Sequence, residues 1–170
     1  MPDRVREAVF DILGSRYDCP GGLPALSVAD VFAGGGSMGL EALSRGAASC
    51  CFFERDRAAA SVLRRNLDAL GVGPEATIVA GDAWIRALRA PDGVPFGLVL
   101  LDPPYVDSDD TSHEGPVKRY LRRLAGCGDE TPLVVLHHRA SVRFVMEGDD
   151  MWRPVDRRTF GSNGVTFFSR

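Results

Sequence analysis

Apolar positions along the chain fall into two alternating rhythms, one of helical period and one of short continuous runs. Val5, Ala8, Val9, Ile12 and Leu13 share one helical face, which predicts a first helix capped by Asp3 and stopped by Gly14. Cys19 to Pro24 reads as a loop. Ser27 to Phe32 predicts a buried strand that runs into Gly34-Gly35-Gly36, and Met38, Leu40, Ala42 and Leu43 suit a helix ending near Gly46. The same reading predicts a strand at Cys50 to Glu54, a helix at Ala58 to Leu70 closed by Gly71, a strand at Thr77 to Ala80 and a short helix at Ala83 to Leu88. A fourth strand, Phe96 to Leu101, leads into a polar loop; a helix at Val117 to Leu124 and a fifth strand at Leu133 to Leu136 follow. Trp152 to Phe160 and Val165 to Phe168 form a hairpin across Gly161-Ser162-Asn163-Gly164, whose glycines permit positive φ. Strands and helices in alternation imply an α/β domain, with a mainly parallel sheet and helices on both faces.

Composition narrows this picture. With 170 residues, 45% hydrophobic and 25% charged, one core suffices, and a chain of this length buries roughly 70% of its unfolded surface without staples. We expect a single domain over residues 1–170, with a helix and loop to residue 24 and the core from 25 onward. Cys19, Cys50, Cys51 and Cys127 form no metal-type pair and read as reduced thiols, with Cys50 and Cys51 on opposite faces of a strand. His137 and His138 lack ligand spacing, so no metal is expected. No apolar run approaches the about 18 residues of a membrane span, and no signal region opens the chain, so the expected location is cytoplasmic. A net charge of −3 excludes tight nucleic-acid binding through the overall field, leaving local patches.

The candidate chemistry begins at Asp30-Val31-Phe32-Ala33-Gly34-Gly35-Gly36-Ser37-Met38-Gly39, where a strand turns into a helix and the glycines let backbone approach a ligand. Asp30 before the glycines and Glu54 at the end of the second strand are placed to accept from ribose hydroxyls. An acidic residue at this turn suits a nucleoside cofactor bearing an ammonium group and no phosphate, which favours S-adenosylmethionine over NAD. We assign the cofactor to Asp30, Phe32, Ala33, Gly34, Gly36, Gly39, Glu54, Asp82 and Ala83. Asp82 could accept from the adenine amino group or cap a helix, and Trp84 reads as core or pocket wall.

The sharper signal is Asp102-Pro103-Pro104-Tyr105, directly after the apolar run 96–101. It puts a carboxylate at the carboxyl end of a central strand, where open α/β sheets bind ligands. The amine on a base is a poor nucleophile because its lone pair is delocalised, so an enzyme must hold its N–H groups and aim the lone pair at the methyl. Asp102 and the Pro103 carbonyl can accept those hydrogens, Pro103 and Pro104 stiffen the frame, and Tyr105 can stack on a flat base. Catalysis here means orientation and electrostatics, with no covalent intermediate.

On Asp3-Arg4-Val5-Arg6-Glu7-Ala8-Val9-Phe10, on Asp30 through Ala47, on Asp102 to Tyr105 and on the terminal hairpin, the chain resembles the RsmD family of 16S ribosomal RNA guanine-N2 methyltransferases over nearly its whole length. The resemblance implies a class I, Rossmann-like methyltransferase fold, a seven-stranded sheet whose last hairpin strand is antiparallel, and a guanine amino group as acceptor. Its substrate would be ribosomal RNA, within an assembling small subunit, met by a monomeric enzyme. The motif itself also serves adenine N6, cytosine N4 or a protein glutamine, so the base rests on the resemblance alone. Family members carry a basic segment and an Arg-Pro-Thr stretch where this chain has Met1-Pro2.

For RNA contacts the candidates are Arg4, Arg6, Lys118 and Arg122, the last two on neighbouring turns of one helix with Arg119 and Arg123 beside them. His113 reads as a surface residue, and His137 and His138 as a strand end with one ring inward and one outward, neither catalytic. A silent cofactor-binding module and an NAD-dependent oxidoreductase are the competing classes. Asp102→Ala and an NADH titration distinguish them.

Overall fold

A computed structural model describes residues 1–89, 93–125, 132–148 and 150–170. One seven-stranded sheet runs through it in the order β3-β2-β1-β4-β5-β7-β6, formed by β1 (Ser27–Val31), β2 (Ser49–Glu54), β3 (Ala76–Ala80), β4 (Phe96–Leu101), β5 (Leu133–Arg139), β6 (Arg153–Phe160) and β7 (Asn163–Ser169). Strands β1 to β5 pair in parallel, and β7 is antiparallel to both β5 and β6. The expected class I architecture with its reversed last strand is the one observed.

Alternating side chains of the buried strands feed two cores. On one face Val28, Cys50, Phe52, Leu98, Leu100 and Phe167 meet the helices α1 (Asp3–Arg16), α2 (Ser37–Ser44) and α3 (Arg57–Leu70) through Val9, Phe10, Met38 and Leu63. On the other, Val31, Cys51, Val99, Leu101 and Phe168 pack on Leu121 and Tyr120 of α5 (Pro116–Ala125) and on Trp152. Cys50 and Cys51 thus lie in opposite cores, as a pleated strand requires. Cys19, Cys50 and Cys51 form no disulfide among the described residues, and Cys127 lies outside them. No described helix is long and apolar enough to cross a membrane, and no group of His, Cys, Asp and Glu among the described residues could hold a metal.

Several boundaries differ from the sequence reading. Asp3 lies inside α1, whose N-cap is Pro2, and bonds Arg6 rather than the helix end. Gly14 does not stop the helix: a Cβ there would stand 2.8 Å from the Cys19 carbonyl oxygen, so the glycine admits the returning loop while α1 continues to Arg16. The expected helix at 83–88 is a single turn on Asp82, because the Arg123 guanidinium takes the carbonyls of Trp84 and Arg86 that a helix would have used. Directly after β4, where a loop was expected, Tyr105–Asp109 forms the short helix α4. Strand β5 extends past Leu136 because His137, His138 and Arg139 pair with Val165, Gly164 and Asn163 of β7. The hairpin therefore turns on two residues, with Gly161 at φ +60°, and Asn163 and Gly164 belong to the strand.

The sheet order reverses between β1 and β4, and the ends of β1, β2, β4 and β5 converge beside that point. Ligands of doubly wound sheets bind there.

Candidate active site

Asp30 lies in the middle of the sheet and is fully buried, with Oδ2 accepting the amide hydrogen of Gly39 at 2.8 Å. The N-cap of α2 is Gly36, in the left-handed region at φ +88° and without a side chain, so Asp30 supplies from below the acceptor that a capping residue would give. Burial pushes the Asp30 carboxyl up to about 7, opposed by the Gly39 hydrogen bond and reinforced by the charges of Asp102 and Glu54. This corrects the expected ribose contact: its carboxylate is committed beneath the turn. Gly39 and Gly36 likewise serve packing, since a Cβ on Gly39 would meet the Phe52 ring at 2.3 Å and one on Gly36 would meet Leu63 at 2.4 Å. Ala33 and Ala83 are buried as well.

What the turn exposes is Phe32, Gly34 and Glu54. Glu54 Oε2 accepts from Gly34 N at 2.7 Å and Oε1 from Asp56 N at 2.7 Å, which fixes the carboxylate while leaving lone pairs for hydroxyls. A Cβ on Gly34, at φ +55°, would meet nothing within 4 Å. Phe32 adopts φ +65°, rare for a residue with a side chain, and its ring packs on Trp84 at 4.7 Å. Asp82 accepts from Trp84 N at 2.9 Å and pairs with Arg55 at 3.2 Å; the structure realises its capping role, on one turn. Trp84 packs against the second core and does not line the cleft described below; its Nε1 donates to Asp107 of α4 at 3.3 Å.

Across the β1–β4 seam stands Asp102, whose amide donates to Val31 O at 3.2 Å. Its Oδ1 lies 2.7 Å from His137 Nδ1, and its Oδ2 takes the α-amino group of Met1 at 2.8 Å. Burial by itself would raise the Asp102 carboxyl; the hydrogen bond and charge of His137, with the Met1 amine, outweigh burial and hold it below the usual carboxylate range. Pro103 is buried, and Pro104 precedes α4 in extended backbone. The Tyr105 hydroxyl donates to Asn163 Oδ1 at 3.1 Å, and the Arg139 guanidinium covers its ring at 4.5 Å. A cleft of about 440 Å³ unites these groups: Met1, Phe32, Glu54, Arg55, Asp102 to Tyr105 and His137 line it.

His137 was not expected in the site, and both histidines point into packed surroundings. His137 is 2% exposed and His138 is fully buried. His138 contacts Thr166 Oγ1 at 2.8 Å and the Arg139 carbonyl at 2.7 Å, and burial lowers it to about 4, so its ring is neutral at physiological pH. A strand covered on both faces has no outward side, which the alternation argument assumed. His113 stays at the surface beside Glu114 and Glu147 and does not line the cleft.

The basic candidates divide. Lys118 is buried at 3% exposure, its ammonium 3.8 Å from Glu147, which removes it as an RNA contact. Arg122 is held by the His113 carbonyl, Glu114 and Asp150, and Arg6 by Asp3 and Glu41. Arg4 alone of the four is exposed on α1.

Comparison with known proteins agrees with this geometry. The family described as conserved hypothetical protein 95 matches residues 1–169. The chain is 30% identical over 170 residues to "Putative rRNA methyltransferase YlbH" of Bacillus subtilis, covering 99% of this chain and 85% of that one. It is 41% identical over 106 residues to ribosomal RNA small subunit methyltransferase D of Escherichia coli, covering 61% of this chain and 48% of the enzyme, so that match spans about half of the relative's length. An RNA methyltransferase from Salinibacter ruber, solved with S-adenosyl-L-homocysteine, shares the fold at a TM-score of 0.65 and 16% identity, over 98% of this chain and 90% of that one.

Proposed function

The chain belongs to the RsmD family, described as conserved hypothetical protein 95, and from that premise we propose that it methylates the exocyclic N2 amino group of a guanine in small-subunit ribosomal RNA. S-adenosylmethionine is the cofactor, and when bound it supplies an electrophilic methyl group on a sulfonium.

The residues present fit that group. Glu54 offers a fixed carboxylate for ribose hydroxyls, Gly34 leaves open space beside it, and Phe32, backed by Trp84, gives the cleft an apolar ring. Asp102 orients the acceptor: its Oδ2 receives an N–H donor from the cleft, the position now taken by the Met1 amine, and this is the contact an exocyclic amine needs. The observation that carries the reading is the union of Glu54 and Asp102 to Tyr105 in one cleft. The names of the relatives support ribosomal RNA as substrate, and presentation within an assembling subunit is part of the proposal. A guanine flipped from its stack would enter beside Tyr105.

The test is transfer of tritiated methyl from S-adenosylmethionine to undermethylated 16S RNA and to 30S subunits, followed by nucleoside analysis. N2-methylguanosine that disappears with Asp102→Ala supports the assignment. A different methylated nucleoside moves the acceptor to another planar nitrogen, and transfer to neither RNA substrate rejects the proposal.

A further inference from the structure

Asp102 does not stand alone at the end of β4. His137 of β5 places Nδ1 2.7 Å from Asp102 Oδ1 and Nε2 3.0 Å from Asn163 Oδ1 of β7. The orientation of the Asn163 amide follows from its other contacts: Nδ2 donates to the Phe160 carbonyl at 3.3 Å, so Oδ1 is the atom that receives the Tyr105 hydroxyl and faces His137. Both imidazole nitrogens therefore face oxygen atoms, Asp102 Oδ1 and Asn163 Oδ1. Asp102, His137, Asn163 and Tyr105 form one hydrogen-bonded circuit that joins the two ends of the Asp-Pro-Pro-Tyr segment through neighbouring strands.

We propose that His137 is a positioning residue for methyl transfer: its Nδ1–H clamps Oδ1 of Asp102, so that Oδ2 remains an anionic acceptor turned into the cleft. Through Nε2 and Asn163 it joins the Tyr105 hydroxyl to the same unit. The inference rests on the proposed role of Asp102 toward the acceptor amine. A carboxylate free to rotate about its side-chain bond would spread its acceptor lone pairs over many directions, and a misplacement of about 1 Å can cost on the order of 100-fold in rate. The charged groups around the imidazole are the Asp102 carboxylate, the Met1 amine that pairs with it and Arg139 over the Tyr105 ring; the titratable His138, neutral at physiological pH, is within electrostatic reach, and Asp30 interacts with Asp102. The clamp is invisible to motif reading because its donor comes from β5, and Arg139 of the same strand covers the Tyr105 ring.

Three variants separate positioning from packing. His137→Asn keeps an N–H near the Nδ1 position, His137→Gln keeps one near Nε2, and His137→Ala keeps neither. With the RNA substrate that wild type methylates, we expect His137→Gln and His137→Ala to lower kcat by ~10–100-fold, with KM for RNA and the Kd for S-adenosylhomocysteine held within about twofold. His137→Asn should recover most of the rate. A His137→Gln rate equal to or above that of His137→Asn would overturn the clamp, because a space-filling role favours the larger glutamine. A second readout needs no substrate: the carboxyl ¹³C resonance of Asp102 followed against pH. Its midpoint should rise when the hydrogen bond from Nδ1 is lost in His137→Gln or His137→Ala, because that bond helps hold the carboxyl below its ordinary range. A midpoint that stays in place in His137→Gln rejects the inference. If wild type methylates no RNA, the functional reading fails while the carboxyl titration still decides the clamp.

Discussion

Oδ2 of Asp30 and the amide of Gly39 meet at 2.8 Å across a nine-residue separation, so the cap of α2 comes from the strand before the glycine turn. The carboxyl that forms this bond is pushed up to about 7 by burial. In the unfolded chain it titrates near 4, so the folded state binds the extra proton between those values. The contribution to stability therefore falls as pH rises from about 4 to about 7. Asp30→Asn keeps an acceptor for Gly39 and loses the charge. We expect it to melt higher than wild type at pH 8 and to lose that advantage at pH 5, as read by thermal denaturation.

His138 works in the opposite sense. Burial lowers it to about 4 from an ordinary value of 6.5, so the unfolded chain binds the extra proton and stability falls as pH drops from about 6.5 to about 4. The two groups offset each other in wild type over that range. In Asp30→Asn the His138 effect is unmasked, and urea midpoints should decline on acidification from pH 6.5 to 4.5 more steeply than in wild type.

Glu54 receives two backbone amides and faces the cleft. Glu54→Ala removes the anchor of Gly34 together with the acceptor for ribose hydroxyls. Hydrogen bonds to a charged group are each worth about 1.5–3 kcal/mol, so the Kd for S-adenosylhomocysteine by calorimetry should rise by ~10–100-fold. An unchanged Kd would remove Glu54 from the cofactor site.

Lys118 and Arg4 separate burial from exposure. Lys118→Ala should cost stability, about 1–3 kcal/mol from the lost packing of its buried stem, while leaving the salt dependence of RNA binding unchanged. Arg4→Ala should leave urea unfolding unchanged and reduce the slope of log K against log salt by about one. Filter binding over a salt series checks both.

Gly164 faces the His138 ring so closely that a Cβ would stand 2.5 Å from Cε1. Gly164→Ala must displace that ring or spread β5 from β7, an overpacking cost of about 1–3 kcal/mol, and it should also slow methylation because Asn163 is its neighbour on the strand. A wild-type urea midpoint would contradict the close approach.

Local spacing made much of this legible in the sequence. The glycine turn, the carboxylate-proline-proline-tyrosine segment and the hairpin each lie within a few residues, and strands β1, β2 and β4 announce themselves by apolar runs. Asp30 was misread because an acid before a glycine turn can serve a ligand from above or a helix from below, and only its depth in the sheet decides. Lys118 shares a helical face with Arg122 by spacing, yet that lysine is buried with its ammonium toward Glu147. His137 looked like the frayed end of a strand, since the partner that prolongs β5 comes from residues 163–169. Contacts between distant segments set each of these outcomes, and a linear pattern does not carry them.

Among the described residues, the β1–β3 half of the sheet pairs with the β4–β7 half only at the join between β1 and β4. Glu54 belongs to the first half, and Asp102, His137 and Asn163 to the second. Substitutions that retune the acceptor can therefore accumulate in residues 96–169 while 27–80 go on serving the same methyl donor. A lineage built this way can change targets by drifting on one side of a seam, and chimaeras exchanged at the loop between β3 and β4 should inherit the nucleotide preference of the second parent.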